Sequence, residues 1–289
     1  MVIKQVKWSD LRVNDRYVLS FPPRPELYKE LTNQFFDFPL LVVNPENEII
    51  SGIDFYYYLK SLGNPGGIDV LQGHFNDTEA LFLNYNLKNK FCGLNLYEKL
   101  IFVKKITPLA GKPEIYKKTN LDVTINRELL DKLDRVTGSE FMKILTGERV
   151  ALKSALRLCD FGQADRTVLI ELFDRVYFSA SQQLKILEMT EEIVFRDKCP
   201  LQEVFGKLDV ERCFEEEKPQ KKIIDAVFKY RFPIYSEKEK EWQQELKDLK
   251  LPGNIKISHY PFFEKKQADV HISVPDAGEL KKIILKISS

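Results

Sequence analysis

Three observations predict an α+β chain. Short apolar runs alternate with helically spaced segments over about the first 110 residues. From Leu121 to about Phe214 the apolar spacing is almost wholly helical, and the last third leads through two helices into two strands and a closing helix. The expected architecture is therefore a small α/β domain (residues 1–115), an all-helical domain of helix-turn-helix type (116–214) and a helical connector with a ββα module (221–289).

Taken in order, Pro25 to Asn33 has helical spacing through Leu27, Tyr28 and Leu31. Pro39-Leu-Leu-Val-Val43 is an unbroken aliphatic run and reads as a buried strand. Asn44-Pro-Glu-Asn47 is a turn, and Ile49-Ile50-Ser51 completes a hairpin. A helix at 53–62 follows, then the loop Asn64-Pro-Gly-Gly67 and a strand at Ile68–Leu71. Asp77 caps a helix carrying Ala80, Leu81, Leu83 and Leu87, and Leu96–Ile106 is the next.

In the helical middle, Thr137 or Ser139 caps Glu140–Leu145, and Thr146-Gly147 separates that turn from a helix over Glu148–Cys159. Asp165–Tyr177 is a third helix. Ser179 opens a capping box with Gln182 at the head of a helix ending near Arg196. Glu215–Gln220 is a charged linker. Lys221–Phe232 turns Ile223, Ile224, Val227 and Phe228 inward, and Ser236 with Glu239 caps a charged helix to Lys250. Strands at Ile255–Tyr260 and Val270–Val274 place His259 and His271 on a hairpin, facing each other. Asp276 and Glu279 cap a last helix with Leu280, Ile283, Ile284 and Ile287.

Charge excludes the simplest nucleic-acid reading. Lys and Arg total 44 against 43 Asp and Glu, so any nucleic-acid contact needs a local patch. Cys92, Cys159, Cys199 and Cys213 show no C-x-x-C spacing and read as reduced thiols. Met1 to Trp8 lacks a signal-peptide apolar region, and no apolar run approaches the roughly 18 residues of a membrane span. The expected location is the cytoplasm, with no membrane partner. Two histidines without a third ligand make no metal site, and none is predicted.

Gly52-Ile-Asp-Phe-Tyr-Tyr-Tyr-Leu-Lys-Ser-Leu-Gly63 follows the strand Glu48-Ile-Ile-Ser51, so a strand runs through Ser-Gly into a helix. This frame resembles the phosphate-binding turn of the bacterial ParB/sulfiredoxin superfamily, whose helix opens Gly-Glu-Arg-Arg or Gly-x-x-Arg. Pro39-Leu-Leu-Val-Val43 looks like the family's proline-led strand, Asn84-Tyr-Asn86-Leu-Lys88 like its Glu-Asn-x-x-Arg box, and Leu94-Asn-Leu-Tyr-Glu-Lys99 like its Leu-Asn-Pro-x-Glu segment. The resemblance implies a ParB/sulfiredoxin-like fold over the first 110 residues. In ParB the turn and the asparagine box hold the triphosphate of CTP, and nucleotide state controls clamping on DNA.

Here Asp54-Phe55 stands where that family has cations. The corresponding pocket, Ser51, Gly52, Asp54, Asn86, Lys88 and Lys90, is accordingly read as degenerate, with no cofactor. A carboxylate about 4 Å from each phosphate charge repels it by roughly 1 kcal/mol in water and more when shielded. With the cations lost, the expectation is a ParB-like non-enzymatic binding protein with a degenerate nucleotide pocket, and the resemblance implies association with double-stranded DNA, as a homodimer. Two candidates face the DNA. Arg149, Lys153 and Arg157 recur at i, i+4 and i+8 on one expected helix face, and Ser181, Gln182 and Gln183 head an expected recognition helix. The alternatives are a nucleotide-dependent enzyme, a CTPase or small-molecule kinase using CTP or ATP with magnesium, and a protein-interaction scaffold without nucleic acid. Of the aromatic run, Phe55 and Tyr58 or their neighbours are expected in the core, with Tyr56 or Tyr57 at the surface.

Overall fold

The first strand, β1 (Val2–Lys7), leads through a 3-10 turn into the two-residue β2 (Arg12–Val13). The structure, a computed structural model, describes residues 1–19, 41–63, 66–265 and 267–281. The helix expected at Pro25–Asn33 lies outside them, as does most of the last one. β3 (Val42–Val43) and β4 (Glu48–Ser51) form the expected hairpin, turned by Asn44-Pro-Glu-Asn47. There Asn44 Oδ1 accepts from the Glu48 N–H at 2.8 Å, and Asn47 takes a positive φ of 60°. α1 (Ile53–Ser61) and β5 (Gly67–Gln72) complete a mixed five-stranded sheet in the order β1-β5-β3-β4-β2. β1 runs antiparallel to β5, whereas β3–β5 and β2–β4 are parallel.

α1 covers this sheet. Val6, Trp8, Leu11, Leu41, Val43, Ile49 and Val70 form the core, with Phe55, Tyr56 and Leu59 packed against it. Tyr56 stacks on Trp8 with ring centroids 4.5 Å apart. It is therefore a packing residue: Ile53, Tyr56 and Leu59 recur every three positions and share the inward helix face.

Helices follow. α2 (Asp77–Phe91) and α3 (Leu96–Ile106) each open on a reciprocal capping box, Asn76 with Glu79 and Asn95 with Glu98. Asn76 is thus the cap expected of Asp77, which instead receives Arg16 Nη1 at 2.8 Å and the Tyr17 hydroxyl at 2.9 Å. α4 (Lys112–Lys118), α5 (Arg127–Val136), α6 (Ser139–Thr146), α7 (Leu152–Leu158), α8 (Gln163–Arg175) and α9 (Ala180–Asp197) continue the chain. The Tyr97 hydroxyl of α3 donates to the Thr137 carbonyl at 3.0 Å, tying the α5–α6 turn to α3.

The chain divides into two compact units, one of residues 1–191 with 199–203 and the other of 192–198 with 204–289. The division runs through α9 and α10 (Leu201–Lys207). The second unit holds α11 (Val210–Cys213), α12 (Pro219–Arg231), α13 (Pro233–Asp248) and the hairpin of β6 (Ile255–His259) with β7 (Ala268–Ile272). α12 buries Ile223, Ile224 and Val227. α13 starts at Pro233, not at Ser236, because proline suits the first helical position, where its missing N–H is not needed.

An aromatic cluster joins α12, α13 and the hairpin. Phe228, Phe232, Tyr235 and Phe262 meet in edge-on and tilted pairs, and His259 stacks on Phe263 at 3.8 Å. The hairpin register pairs His259 with Ala268 and Lys256 with His271, so the two histidines do not face each other. His259 Nε2 instead meets Glu239 at 2.5 Å, and Nδ1 meets the Tyr260 carbonyl at 2.7 Å. Asp276 Oδ1 accepts from the Gly278 and Glu279 N–H groups, as a helix cap does.

Candidate functional site

Ser51 ends β4 and is buried, and Gly52 caps α1 with a left-handed φ of 93°, a conformation that glycine adopts without strain. The turn predicted from the sequence is therefore present. A helix N-terminus concentrates unpaired N–H groups and attracts negative charge, and here the charge is supplied by the protein itself. Asp54, on the first turn of α1, is only 1% exposed. Its carboxylate pairs with the ammonium of Lys88 on α2, and the same ammonium lies 3.3 Å from Glu98 on α3. All three side chains are almost wholly buried.

Glu98 has two roles. Its Oε2 accepts the Asn95 N–H at 3.0 Å to cap α3, while Oε1 faces Lys88. Three helices thus converge on one ammonium between two carboxylates. Ionic groups removed from water need partners of this kind, because desolvation costs several kcal/mol per ion. The one lysine of the second box that reaches the turn is engaged with carboxylates instead of being presented to a ligand.

The other pocket residues diverge. Asn86 is exposed and donates from Nδ2 to the Lys118 carbonyl at 3.0 Å, and Lys90 is exposed. On a helix, steps of two residues turn by about 200°, so Asn86 and Lys90 lie on the side away from Lys88. Ser51, Gly52, Asp54 and Lys88 come together; Asn86 and Lys90 do not join them. Glu98, from the Leu94–Lys99 segment, completes the cluster and lies outside the pocket set expected from the sequence. Its signal was the Asn95-x-x-Glu98 capping box.

The candidate DNA-facing residues also separate. The helix expected from Glu148 begins at Leu152, so Arg149 lies in the preceding turn. Glu148 takes a φ of 51°, and the Arg149 N–H closes onto the Ile144 carbonyl at 2.8 Å, which breaks the helical run there. Lys153 and Arg157 share the α7 surface, and Arg157 pairs with Glu191. Ser181 is exposed, and Gln182 Oε1 accepts from the Ser179 N–H at 2.9 Å, as the expected capping box requires. Gln183 is turned inward at 3% exposure. Its amide donates to the Arg149 and Phe178 carbonyls at 2.9 Å each and accepts the Ala151 N–H at 3.0 Å. It locks the entries of α7 and α9 together and is not presented outward.

Among the described residues no helix is long and apolar enough to cross a membrane, and no three His, Cys, Asp or Glu side chains are grouped to hold a metal ion.

No family model matches this chain, and no curated protein does. Solved structures match it over much of its length at low identity. A Pnob8-like ParB-N domain in a C2221 crystal form is 17% identical, with a TM-score of 0.39 over 76% of this chain and 91% of that one. The C-terminally truncated chromosome-partitioning protein ParB from Caulobacter crescentus, complexed to the centromeric parS site, is 14% identical, with a TM-score of 0.36 over 62% and 96%. The same protein complexed with CTP-gamma-S is 14% identical, with a TM-score of 0.27 over 60% and 99%.

Proposed function

We propose that this chain is a ParB-like, non-enzymatic binding protein in which an internal ion cluster has closed the phosphate turn, and that it associates with double-stranded DNA as a homodimer. One observation carries the first part: the buried Asp54 carboxylate on Lys88 at the head of α1. A triphosphate entering there meets a carboxylate where the turn would need a cation, and Lys88 cannot serve it without leaving Asp54 and Glu98. At about 4 Å the repulsion is roughly 4 kcal/mol per charge pair under the effective screening of a protein surface. That is as large as the whole binding free energy of a millimolar ligand, about −4 kcal/mol. The DNA part is supported by the exposed Arg149 and Lys153 and by the outward Ser181 at the start of α9.

Titration calorimetry with CTP and ATP, with and without magnesium, tests the pocket. The expected affinity is no tighter than about millimolar. Micromolar binding, or nucleotide hydrolysis, would overturn the reading and favour the nucleotide-dependent enzyme. Anisotropy with duplex DNA across a salt series tests the rest. Replacing Arg149, Lys153 and Arg157 together by Gln should flatten the log–log salt slope by about two units, since Arg157 already has Glu191 as partner. An unchanged slope removes those residues from the interface. No wild-type binding at low salt favours the protein-interaction scaffold.

A further inference from the structure

A cleft of about 380 Å³ opens in the first unit where the start of α3, the segment at 122–123, the turn before α7 and the start of α9 meet. That volume lies in the range of small-molecule sites. Val123, Val150 and Phe178 give it a buried apolar floor. Gln183 binds the 149–151 turn to Phe178 through three hydrogen bonds, so two of its walls are fixed before any ligand arrives.

Three charged residues are among those that line it, Lys99, Asp122 and the exposed Glu148. Lys99 Nζ and Asp122 Oδ2 pair at 2.8 Å and neutralise each other. The third, Glu148, has no side-chain partner among the described residues, and Arg149 beside it in sequence does not line the cleft. The cleft is left with one negative charge over an apolar floor. Tyr177, 66% exposed, contributes a π face to the lining. Glu148 also sits at a φ of 51°, a left-handed conformation that is strained for an L-residue with a side chain.

We propose that this cleft binds a small organic amine, protonated and carried on an aromatic or apolar body. The ammonium meets the Glu148 carboxylate and the Tyr177 ring, and the body lies on Val123, Val150 and Phe178. An ammonium over an aromatic face and beside a carboxylate gains from both. An anion meets an uncompensated carboxylate, and a neutral ligand gains only the apolar floor.

Calorimetry and thermal-shift measurements on the full chain test this with phenethylamine, the neutral isostere 2-phenylethanol and the anion 3-phenylpropanoate. The amine should bind about tenfold tighter than the alcohol, and the anion weakest. Glu148→Gln should abolish the preference for amine over alcohol, and Tyr177→Ala should weaken the amine. Glu148→Gly relieves the left-handed strain, so it should raise Tm while losing the amine preference, which separates recognition from folding. Absence of amine binding, equal binding of amine and alcohol, or an amine preference unchanged by Glu148→Gln would overturn the proposal.

Discussion

Lys88→Met tests whether the ion cluster holds the first unit together. Methionine approximates the length of the lysine stem but removes the ammonium that both Asp54 and Glu98 contact. Removing one partner of a buried pair costs about 3–5 kcal/mol. Here the loss falls on two carboxylates that the ammonium had held close together, which places the expectation at the upper end of that range. For a unit of this size each kcal/mol moves Tm by about 2–4 °C, so a loss of about 5 kcal/mol should lower Tm by about 10–20 °C. Circular dichroism melts at pH 7 read it directly. The triple variant Asp54→Asn, Lys88→Met, Glu98→Gln should regain most of the loss, because a neutral network of similar shape is often as stable as a buried ionic one. Glu98→Gln also keeps an acceptor for the Asn95 N–H. A Tm for Lys88→Met within about 2 °C of the wild type would refute the reasoning.

Two further outcomes are expected. Burial pulls the His259 pKa down, but its hydrogen bonds to the Tyr260 carbonyl and Glu239 outweigh this and leave it above the usual 6.5. For Glu239, burial raises the pKa, but hydrogen bonds from Gln243 and His259 outweigh it and hold it below 4.5. The pair's contribution is therefore full below pH 6.5 for the histidine, is lost as pH rises through its raised pKa, and is lost again at acid pH as Glu239 protonates. Trp242 lies 5.7 Å from His259, so its fluorescence in a Trp8→Phe background should titrate above pH 6.5, and His259→Gln should abolish that step. Separately, the exposed segment Glu215–Lys218, inside the second unit, should be the first site cut by a glutamate-directed protease, leaving the first unit folded within a fragment ending near residue 214. First cuts within 116–200 would show that the helical middle is not the resistant part.

Local structure is legible in this sequence, and contacts between distant segments are not. The Ser51-Gly52 turn was legible because only glycine takes a φ of 93° freely, and α3 was legible from its apolar spacing. Arg149 was misplaced because Glu148, an ordinary helix former, takes a left-handed conformation that residue type does not announce. Gln183 looked outward by composition but has its hydrogen-bonding capacity used inside. Asn86, Lys88 and Lys90 look like one group in the sequence, whereas a helix turns the middle one away from its neighbours. The pairing of Lys88 with Asp54 spans 34 positions, and no local pattern marks it.

The capping of α3 by Glu98 makes position 54 part of a coupled set. A cation placed at 54 would confront Lys88 across a space now filled by a carboxylate, and Glu98 would be asked to balance two positive charges while still starting a helix. A single basic substitution at 54 therefore sets two cations against the one carboxylate of Glu98. Any change of charge at 54 must be matched at 88 with an acceptor kept at 98, so the three positions can vary only as one set.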